Sequence, residues 1–398
     1  MLSKNTLLTI VTKFGILLAN FALVVFSTRI WGSEGRGEIA LVLANVSIIV
    51  IFSNVFCGST VAFHALRVQR ETILGISFTG ALFVALAGSL LFFLFFGRAY
   101  FIPLFLISFL MSLTTVVSSW WLGRNNIARY NTLTFLNPLF ILVALAVLYY
   151  LFNKTALSVY FSAYYIGLLV VSLAGFTGLM IHEKVQVPAI RSRNVRSIFT
   201  YGLNNELSYL IQFLNYRLSY YFIARMLGLS KLGLFSIVVS ISEAVWIISR
   251  SMSAVHFSNV INSDDQLKNR KETIAFVRQS FLISILLLAV AVIVPDKVYQ
   301  MIFGDEFSGI RRFILYMIPG IIAIAVSNLY GHYFAGTGKL KIVRNKSLLG
   351  LAASLILLPV LIKKYQLTGA CISLNISYLV SAFYLWLVFR SEGKSENP

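Results

Sequence analysis

The chain has 398 residues, of which 58% are hydrophobic and only 12% are charged, whereas a water-soluble protein carries about a quarter charged residues. This composition excludes a soluble globular domain. The net charge of +19 does not indicate a nucleic-acid partner. The basic residues lie in short links beside apolar segments, where topology and anionic lipid headgroups account for them. We therefore predict an all-α, polytopic membrane protein in contact with membrane lipids.

Apolar stretches long enough to cross a hydrocarbon core of roughly 30 Å follow one another along the chain. An even number of spans places both termini on one side of the membrane. Of the 33 Lys and Arg residues, 21 fall on the side of the termini, 11 on the other side, and Arg217 lies within a span. The positive-inside rule then predicts that both termini are cytoplasmic. The pattern predicts twelve spans, at 6–30, 38–58, 73–96, 101–122, 132–152, 157–181, 203–227, 232–250, 277–295, 312–335, 346–362 and 367–389.

Three short motifs occur once in each half of the chain, in the same order. Because six predicted spans separate the members of each pair, both halves have the same orientation in the membrane, as in parallel-repeat transporters. Chance recurrence of glycine and arginine in short links remains the alternative for any single pair. The pairs are "RIWGSEGRG" (29–37) with "RMLGLSKLG" (225–233), "GRNNIAR" (123–129) with "GKLKIVR" (338–344), and "FFG" ending at Gly97 with "IFG" ending at Gly304.

The repeat predicts two six-helix lobes, at 1–181 and 203–398, joined by a basic cytoplasmic connector at 182–202, the longest hydrophilic link in the chain. In the first motif pair, Gly32 and Gly228 occupy equivalent positions. We predict that both are turn residues at corresponding corners of the two lobes, because glycine tolerates turn conformations that other residues avoid.

Polar residues form stripes on two of the predicted spans, where contact with lipid would be unfavourable. In the first span, Lys13 and Asn20 belong to a stripe with a period of seven residues, which drifts only about 20° per heptad on a helix. In the seventh span, Gln212 and Asn215 belong to a polar sector, and Glu206 lies on another face. These faces are predicted to line the interior of the protein.

Arg217 lies somewhat past the middle of the seventh span, where an isolated guanidinium would cost at least about 2.5–3.5 kcal/mol. Glu243, on one stripe of the eighth span with Arg250, is a plausible counter-ion. Two interpretations stay open: an Arg217–Glu243 ion pair that fastens two helices, or a cationic cavity wall that attracts phosphate. The four histidines lack metal-ligand spacing and the two cysteines lie in apolar spans, so no metal, cofactor or disulfide is predicted.

The two lobes, the hairpins "GSEGRGEIAL" and "LGLSKLGLFSIVVSISEAV" and the segment "VYQMIFGDEFSG" together resemble the polysaccharide-transporter branch of the multidrug/oligosaccharidyl-lipid/polysaccharide exporter superfamily, most of all its bacterial O-antigen flippases. The resemblance implies a flippase of the bacterial inner membrane that moves undecaprenyl-pyrophosphate-linked oligosaccharide from the cytoplasmic to the periplasmic leaflet by alternating access. The resemblance also implies that the protein catalyses no reaction of its own. A polysaccharide polymerase and a chain-length regulator are then the expected partners in lipopolysaccharide biosynthesis.

Members of that branch often carry an acid together with Arg in the seventh span, whereas Asn215 and Ser219 flank Arg217 here. Glu206 and Glu243 are therefore the candidate ion-coupling residues. The candidate substrate-binding residues are Arg217, Lys13, Asn20, Gln212, Asn215 and Arg250. Two other functions stay open: a cation-coupled multidrug exporter of the same fold, which would favour an acidic cavity, and a membrane glycan polymerase or ligase, which would be expected to expose a large outer loop.

Overall fold

The computed structural model describes residues 4–96, 100–152, 156–183, 192–263 and 265–395, and among these residues it contains helices but no strand. The helices in the first part of the chain are α1 (Lys4–Ser53), α2 (Gly58–His64), α3 (Arg70–Phe96), α4 (Phe101–Gly123), α5 (Ile127–Tyr150) and α6 (Ser158–Glu183). Those in the second part are α7 (Ser192–Leu227), α8 (Leu229–Ile261), α9 (Gln266–Ile293), α10 (Asp296–Phe303), α11 (Ile310–Gly336) and α12 (Leu340–Ser395).

Each of the twelve predicted spans is helical over most of its length within the described residues, and the second, fifth and ninth run past the helix ends at Ser53, Tyr150 and Ile293. The first two lie in α1, on either side of a break at Gly32 (φ 61°, ψ −162°). The last two lie in α12, on either side of a break at Gln366 (φ 51°, ψ −132°). Helices α3 to α9 and α11 carry one span each. The all-α polytopic fold is thereby confirmed.

Nine helical segments of the described chain are long and apolar enough to cross a membrane. Helix α7, which carries the predicted seventh span, is not among them. Its polar residues lower its hydropathy, and a polar helix in a membrane protein needs polar neighbours rather than lipid. The most polar span is therefore the first place to look for a functional site.

Several helices extend well beyond the predicted spans. Helix α7 begins at Ser192 rather than near 203, α8 ends at Ile261 rather than near 250, and α9 begins at Gln266 rather than near 277. Hydropathy locates the apolar part of a helix, but the backbone hydrogen bonds continue into the polar flanks. The second half of the predicted connector at 182–202 is consequently helical, and its residues 184–191 lie outside the described part of the chain.

The chain divides into two compact units, one comprising 1–31 and 41–210 and the other comprising 32–40 and 211–398. Helix α7 is thus assigned to the first unit up to Leu210 and to the second from Ile211. The segment 32–40 of α1 is assigned to the second unit. The predicted division at 1–181, 182–202 and 203–398 places the lobe boundary earlier, and it stays a prediction.

In the first unit, α4 packs against α2, α3, α5 and α6. Its core includes the fully buried indole of Trp120 and the buried side chains of Cys57, Ile73 and Ile198. In the second unit, α11 packs against α8, α9, α10 and α12. Tyr333, Phe334 and Phe389 belong to an aromatic core there.

The repeated glycines are conformationally alike in the first motif pair and different in the second. Gly32 (φ 61°, ψ −162°) and Gly228 (φ 91°, ψ 171°) each precede a helix, with backbone angles that essentially only glycine adopts. The prediction that both are turn residues is confirmed. In the second pair, Gly338 has a positive φ of 77°, whereas Gly123 packs against the α2 backbone, so that a Cβ atom would lie 2.4 Å from the Ala62 oxygen. Gly97 of the third pair lies outside the described residues.

Candidate functional site

The polar face of α7 meets α12 at Asn215, which is 2% exposed. Its Oδ1 accepts a 2.8 Å hydrogen bond from the Ser377 hydroxyl in the second half of α12. In the first half of α12, a Cβ atom on Gly350 would lie 2.6 Å from the Asn215 Nδ2. Asn215, a predicted substrate-binding residue, therefore lies in close contact with both halves of α12, as interhelical polar residues do in membranes.

Beside Asn215 on α7, Gln212 contacts Tyr216, which belongs to a group of three packed aromatic side chains. The Gln212 Nε2 donates a 2.9 Å hydrogen bond to the Tyr216 hydroxyl. The ring centroids of Tyr216, Trp246 and Tyr378 are 5.6 to 6.3 Å apart. Because these rings come from α7, α8 and α12, they form an aromatic contact shared by three helices, in which Trp246 and Tyr378 are only 2% and 3% exposed. We call these three side chains the aromatic triad.

Arg250 lies beside this aromatic triad. Its guanidinium carbon is 5.5 Å from the Trp246 ring centroid, within the range of a cation–π interaction. It also interacts with the Tyr216 hydroxyl. The Arg250 residue as a whole is exposed, so one face of a fixed cation remains accessible.

Arg217 and Glu243 form the ion pair that the sequence left as one of two interpretations. The Arg217 Nη2 lies 2.6 Å from the Glu243 Oε1, and the two side chains are 22% and 36% exposed. The Arg217 Nη1 also donates a 3.2 Å hydrogen bond to the Tyr220 hydroxyl. The guanidinium thus has an anionic partner and an aromatic neighbour, and the pair links α7 to α8.

Two further basic residues of the second unit were missed as site residues by the sequence analysis. Lys346 is the first residue of the predicted eleventh span and was counted with the basic residues on the side of the termini, but on α12 it is only 5% exposed. It interacts electrostatically with Arg250, and His332 on α11 interacts with both. No acidic partner of Lys346 occurs among the described ion pairs. We call Arg250, His332 and Lys346 the basic cluster.

Sequence signals were present for Lys346 and for the contact of Arg250 with Trp246. Trp246 and Arg250 are four residues apart, which places a ring and a cation on the same helix face. Lys346, Gly350 and Ser354 also recur every four residues, and all three fall on the packed side of α12. The positive-inside count treats every lysine near a span end as a loop residue, and it therefore missed a lysine that faces inward.

The remaining predicted residues belong to the first unit. Lys13 is exposed, and its Nζ lies 5.9 Å above the Tyr130 ring. Asn20 is also exposed. The Gln212, Asn215, Arg217, Glu243 and Arg250 side chains, in contrast, are brought together in the second unit by α7, α8 and α12.

Glu206 is 6% exposed and lies in the first unit, where α7 crosses the break between α1 and α2. Its Oε1 accepts hydrogen bonds from Asn205 Nδ2 at 3.1 Å and Ser59 Oγ at 3.5 Å. Four residues earlier, Gly202 packs so closely that a Cβ atom would lie 2.0 Å from the Val55 carbonyl oxygen. Among the described ion pairs, none includes Glu206. The two candidate coupling carboxylates therefore differ: Glu243 has a cationic partner and Glu206 has neutral donors.

Within the part of the chain that the structure describes, no group of three or more His, Cys, Asp or Glu side chains could hold a metal ion. No protein-family model matches the sequence, and a search of curated proteins finds no match.

Solved structures do match, over nearly the whole chain. A multidrug resistance MATE family transporter of the MOP superfamily in an inward-facing conformation aligns with a TM-score of 0.71 at 14% identity, covering 96% of this chain and 95% of the other. A MATE protein in the straight conformation aligns with a TM-score of 0.66 at 15% identity, covering 98% and 96%. A MOP superfamily transporter from Pyrococcus furiosus, described as having a binding pocket of reverse polarity that suggests a different function, aligns with a TM-score of 0.61 at 14% identity, covering 97% and 94%. The chain therefore has the fold of MOP superfamily transporters, an all-α membrane fold with twelve helices in two lobes.

Proposed function

We propose that this protein is a flippase that moves an undecaprenyl-pyrophosphate-linked oligosaccharide, an O-antigen repeat unit, across the bacterial inner membrane by alternating access. The observation that carries the proposal is the basic cluster beside the aromatic triad in the second unit. The cluster would bind the pyrophosphate, and the packed aromatic triad would hold Arg250 in position through the Trp246 ring. The polyprenyl chain would stay in lipid.

The energetic argument begins with Lys346. Burying an ammonium group without an anionic partner is unfavourable, and Arg250 and His332 add no compensating negative charge to the 5% exposed Lys346. A bound pyrophosphate would supply that charge. Arg250 is suited to bidentate phosphate contacts, while Lys346 acts as a point charge. The uncharged side chain of Gln212 would hydrate the glycan, whereas Asn215, which is packed between both halves of α12, would hold α7 in place. Lys13 and Asn20 stay candidate substrate-binding residues on the sequence pattern alone.

The proposed transport requires no bond to be broken, so the protein would act without catalysis. The similar solved structures are transporters, which supports a transport role over that of a glycan polymerase or ligase. A polysaccharide polymerase and a chain-length regulator would act on the delivered repeat unit and are proposed as partners. Both termini would be cytoplasmic, as the distribution of basic residues predicts.

A cation-coupled multidrug exporter is the second candidate, favoured by the likeness to multidrug resistance MATE transporters. Glu206 would then be the acidic residue that binds a cation, since it is buried beside neutral donors. Against this candidate, the residues around Arg250 lean basic, and a cationic drug would be repelled there.

The test measures flipping of a fluorescent undecaprenyl-pyrophosphate-linked saccharide in proteoliposomes, with a cationic dye assayed in parallel. Lys346→Gln should lower the flipping rate at least about tenfold, since a charged contact to phosphate is worth about 1.5–3 kcal/mol, and Lys346→Arg should retain part of the activity. The matched control is Lys341→Gln, which removes an exposed lysine five residues earlier. Transport of the dye without flipping of the saccharide would favour the exporter and refute the proposal.

A further inference from the structure

The two repeated hairpins are joined by a small polar contact that involves a third segment. The carboxylate of Glu306, in the turn after α10, accepts hydrogen bonds from both the backbone N–H and the hydroxyl of Ser33, each at 2.7 Å. The Ser33 Oγ also lies 2.7 Å from the Ser230 Oγ. Ser33 is the residue after Gly32 of the first hairpin, and Ser230 lies two residues after Gly228 of the second. All of these residues belong to the second unit.

Beneath this polar contact, the two hairpins approach each other backbone to backbone. A Cβ atom on Gly37 would lie 1.9 Å from the Leu229 carbonyl oxygen, and one on Gly233 would lie 1.8 Å from the Ser33 carbonyl oxygen. The two contacts are equivalent under the 196-residue offset of the repeat, because Ser33 corresponds to Leu229 and Gly37 to Gly233. The two copies of the motif therefore contact each other through equivalent positions, and no side chain lies between Gly37 and Gly233.

Glu306 lies at the start of the helix that follows Gly32, where its carboxylate caps the Ser33 N–H group. A helix begins again at Ser33 after the break at Gly32, and the first N–H groups of a helix have no partner within it. The Glu306 carboxylate supplies one such partner and places negative charge at the positive end of the helix dipole. The two Ser33 hydrogen bonds lower the pKa of Glu306. The charged residues within three positions of Ser33, Ser230 or Glu306 in the sequence are Glu34, Arg36, Lys231 and Asp305.

Gly32 makes room for this carboxylate. A Cβ atom at that position would lie 2.8 Å from the Glu306 Oε2, in addition to the strain of a φ of 61°. Two separate constraints therefore favour glycine at position 32: the turn conformation and the space that the Glu306 carboxylate occupies. At Gly228, the equivalent glycine, a Cβ atom would meet nothing within 4 Å.

We propose that Ser33, Ser230 and Glu306 form a releasable clasp between the two repeated hairpins, and that the Glu306 carboxylate controls how often it opens. The backbone contact at Gly37 and Gly233 fits the hairpins together, but it contains no group that can change its charge. The residue Glu306 is exposed, so the hydrogen bonds of its carboxylate compete with water and can be lost without unfolding the helices. The proposal does not depend on the identity of the transported molecule.

The test is hydrogen exchange of the purified full-length protein, read on peptides covering 32–40. Glu306→Gln keeps the shape but removes the charge, and we expect the amides at 33–36 to exchange about three- to tenfold faster, since a charged hydrogen bond is stronger than a neutral one. The matched control is Asp305→Asn, an exposed neighbouring acid, which should leave that exchange unchanged. Equal exchange rates in wild type and Glu306→Gln would overturn the proposal.

A second measurement covers the case in which Glu306→Gln fails to fold. Ser33→Cys combined with Ser230→Cys places two thiols where the hydroxyls lie 2.7 Å apart, and a mild oxidant should join them rapidly, whereas either single variant should form no internal disulfide. Both native cysteines are buried, which limits background reactions. Absence of the cross-link in a folded double variant would refute the contact.

Loss of flipping in Lys346→Gln with an intact clasp would leave this inference standing, because the two sites share no residue.

Discussion

Removing one charge from the Arg217–Glu243 pair should destabilise the protein more than removing both. Breaking a fully buried pair costs about 3–5 kcal/mol, and exposed pairs contribute about 0–1 kcal/mol. The side chains are 22% and 36% exposed, so we expect Arg217→Ala or Glu243→Ala to cost about 2 kcal/mol each. The double variant should cost less than the sum of the two, because no charge is left without its partner.

The assay is the apparent melting temperature of each variant in detergent, together with its abundance in membranes, arranged as a double-mutant cycle. A coupling energy of about 1–2 kcal/mol is expected for residues in direct contact. Additive effects of the two single variants would refute the argument that the pair is structural. If Arg217→Ala instead keeps its melting temperature and abundance but abolishes flipping of the lipid-linked saccharide, the substrate-binding role is favoured. Arg217→Lys should then restore only part of the activity, because an ammonium lacks the bidentate geometry.

Three further predictions concern other parts of the chain. Gly37→Ala should reduce the amount of folded protein, because its Cβ atom would lie 1.9 Å from the Leu229 carbonyl oxygen. The control Gly178→Ala should leave the amount of folded protein unchanged, because its Cβ atom would meet nothing within 4 Å. Equal membrane abundance of the two variants would contradict this. The hydrogen-exchange difference between wild type and Glu306→Gln should be largest at a pH above the usual carboxyl pKa. It should disappear as the pH falls through the lowered pKa of Glu306, because protonation removes the charge that the Ser33 donors stabilise. An unchanged difference at low pH would argue against this. A reporter active only in the cytoplasm should work when fused after Lys271, and a periplasmic reporter should work after Asp305; the opposite result would invert the predicted topology.

The twelve spans and the repeat could be predicted from the sequence because both are local or periodic properties. Each span needs about 20 apolar residues wherever it packs, and Gly32 and Gly228 need turn conformations whatever surrounds them. The Arg217–Glu243 pair could be anticipated for a similar reason, since a charge inside a membrane span needs a partner and the adjacent span offered one. The helix ends were less predictable, because polar residues continue α7 and α8 beyond their apolar parts.

What the tertiary structure decided is which distant segments meet. The four-residue recurrence of Lys346, Gly350 and Ser354 defines one face of α12, but it does not tell whether that face is packed, because the difference lies in the neighbours that α8 and α11 provide. Ser33 and Glu306 are 273 residues apart, and their contact depends on how α1 and the turn after α10 are brought together. Sequence by itself determined which segments are helical, because this follows from hydropathy and backbone chemistry, and it showed that three short motifs recur in the two halves of the chain. The partner of each polar side chain was decided by packing, because burial makes an unpaired polar group costly only once its neighbours are in place.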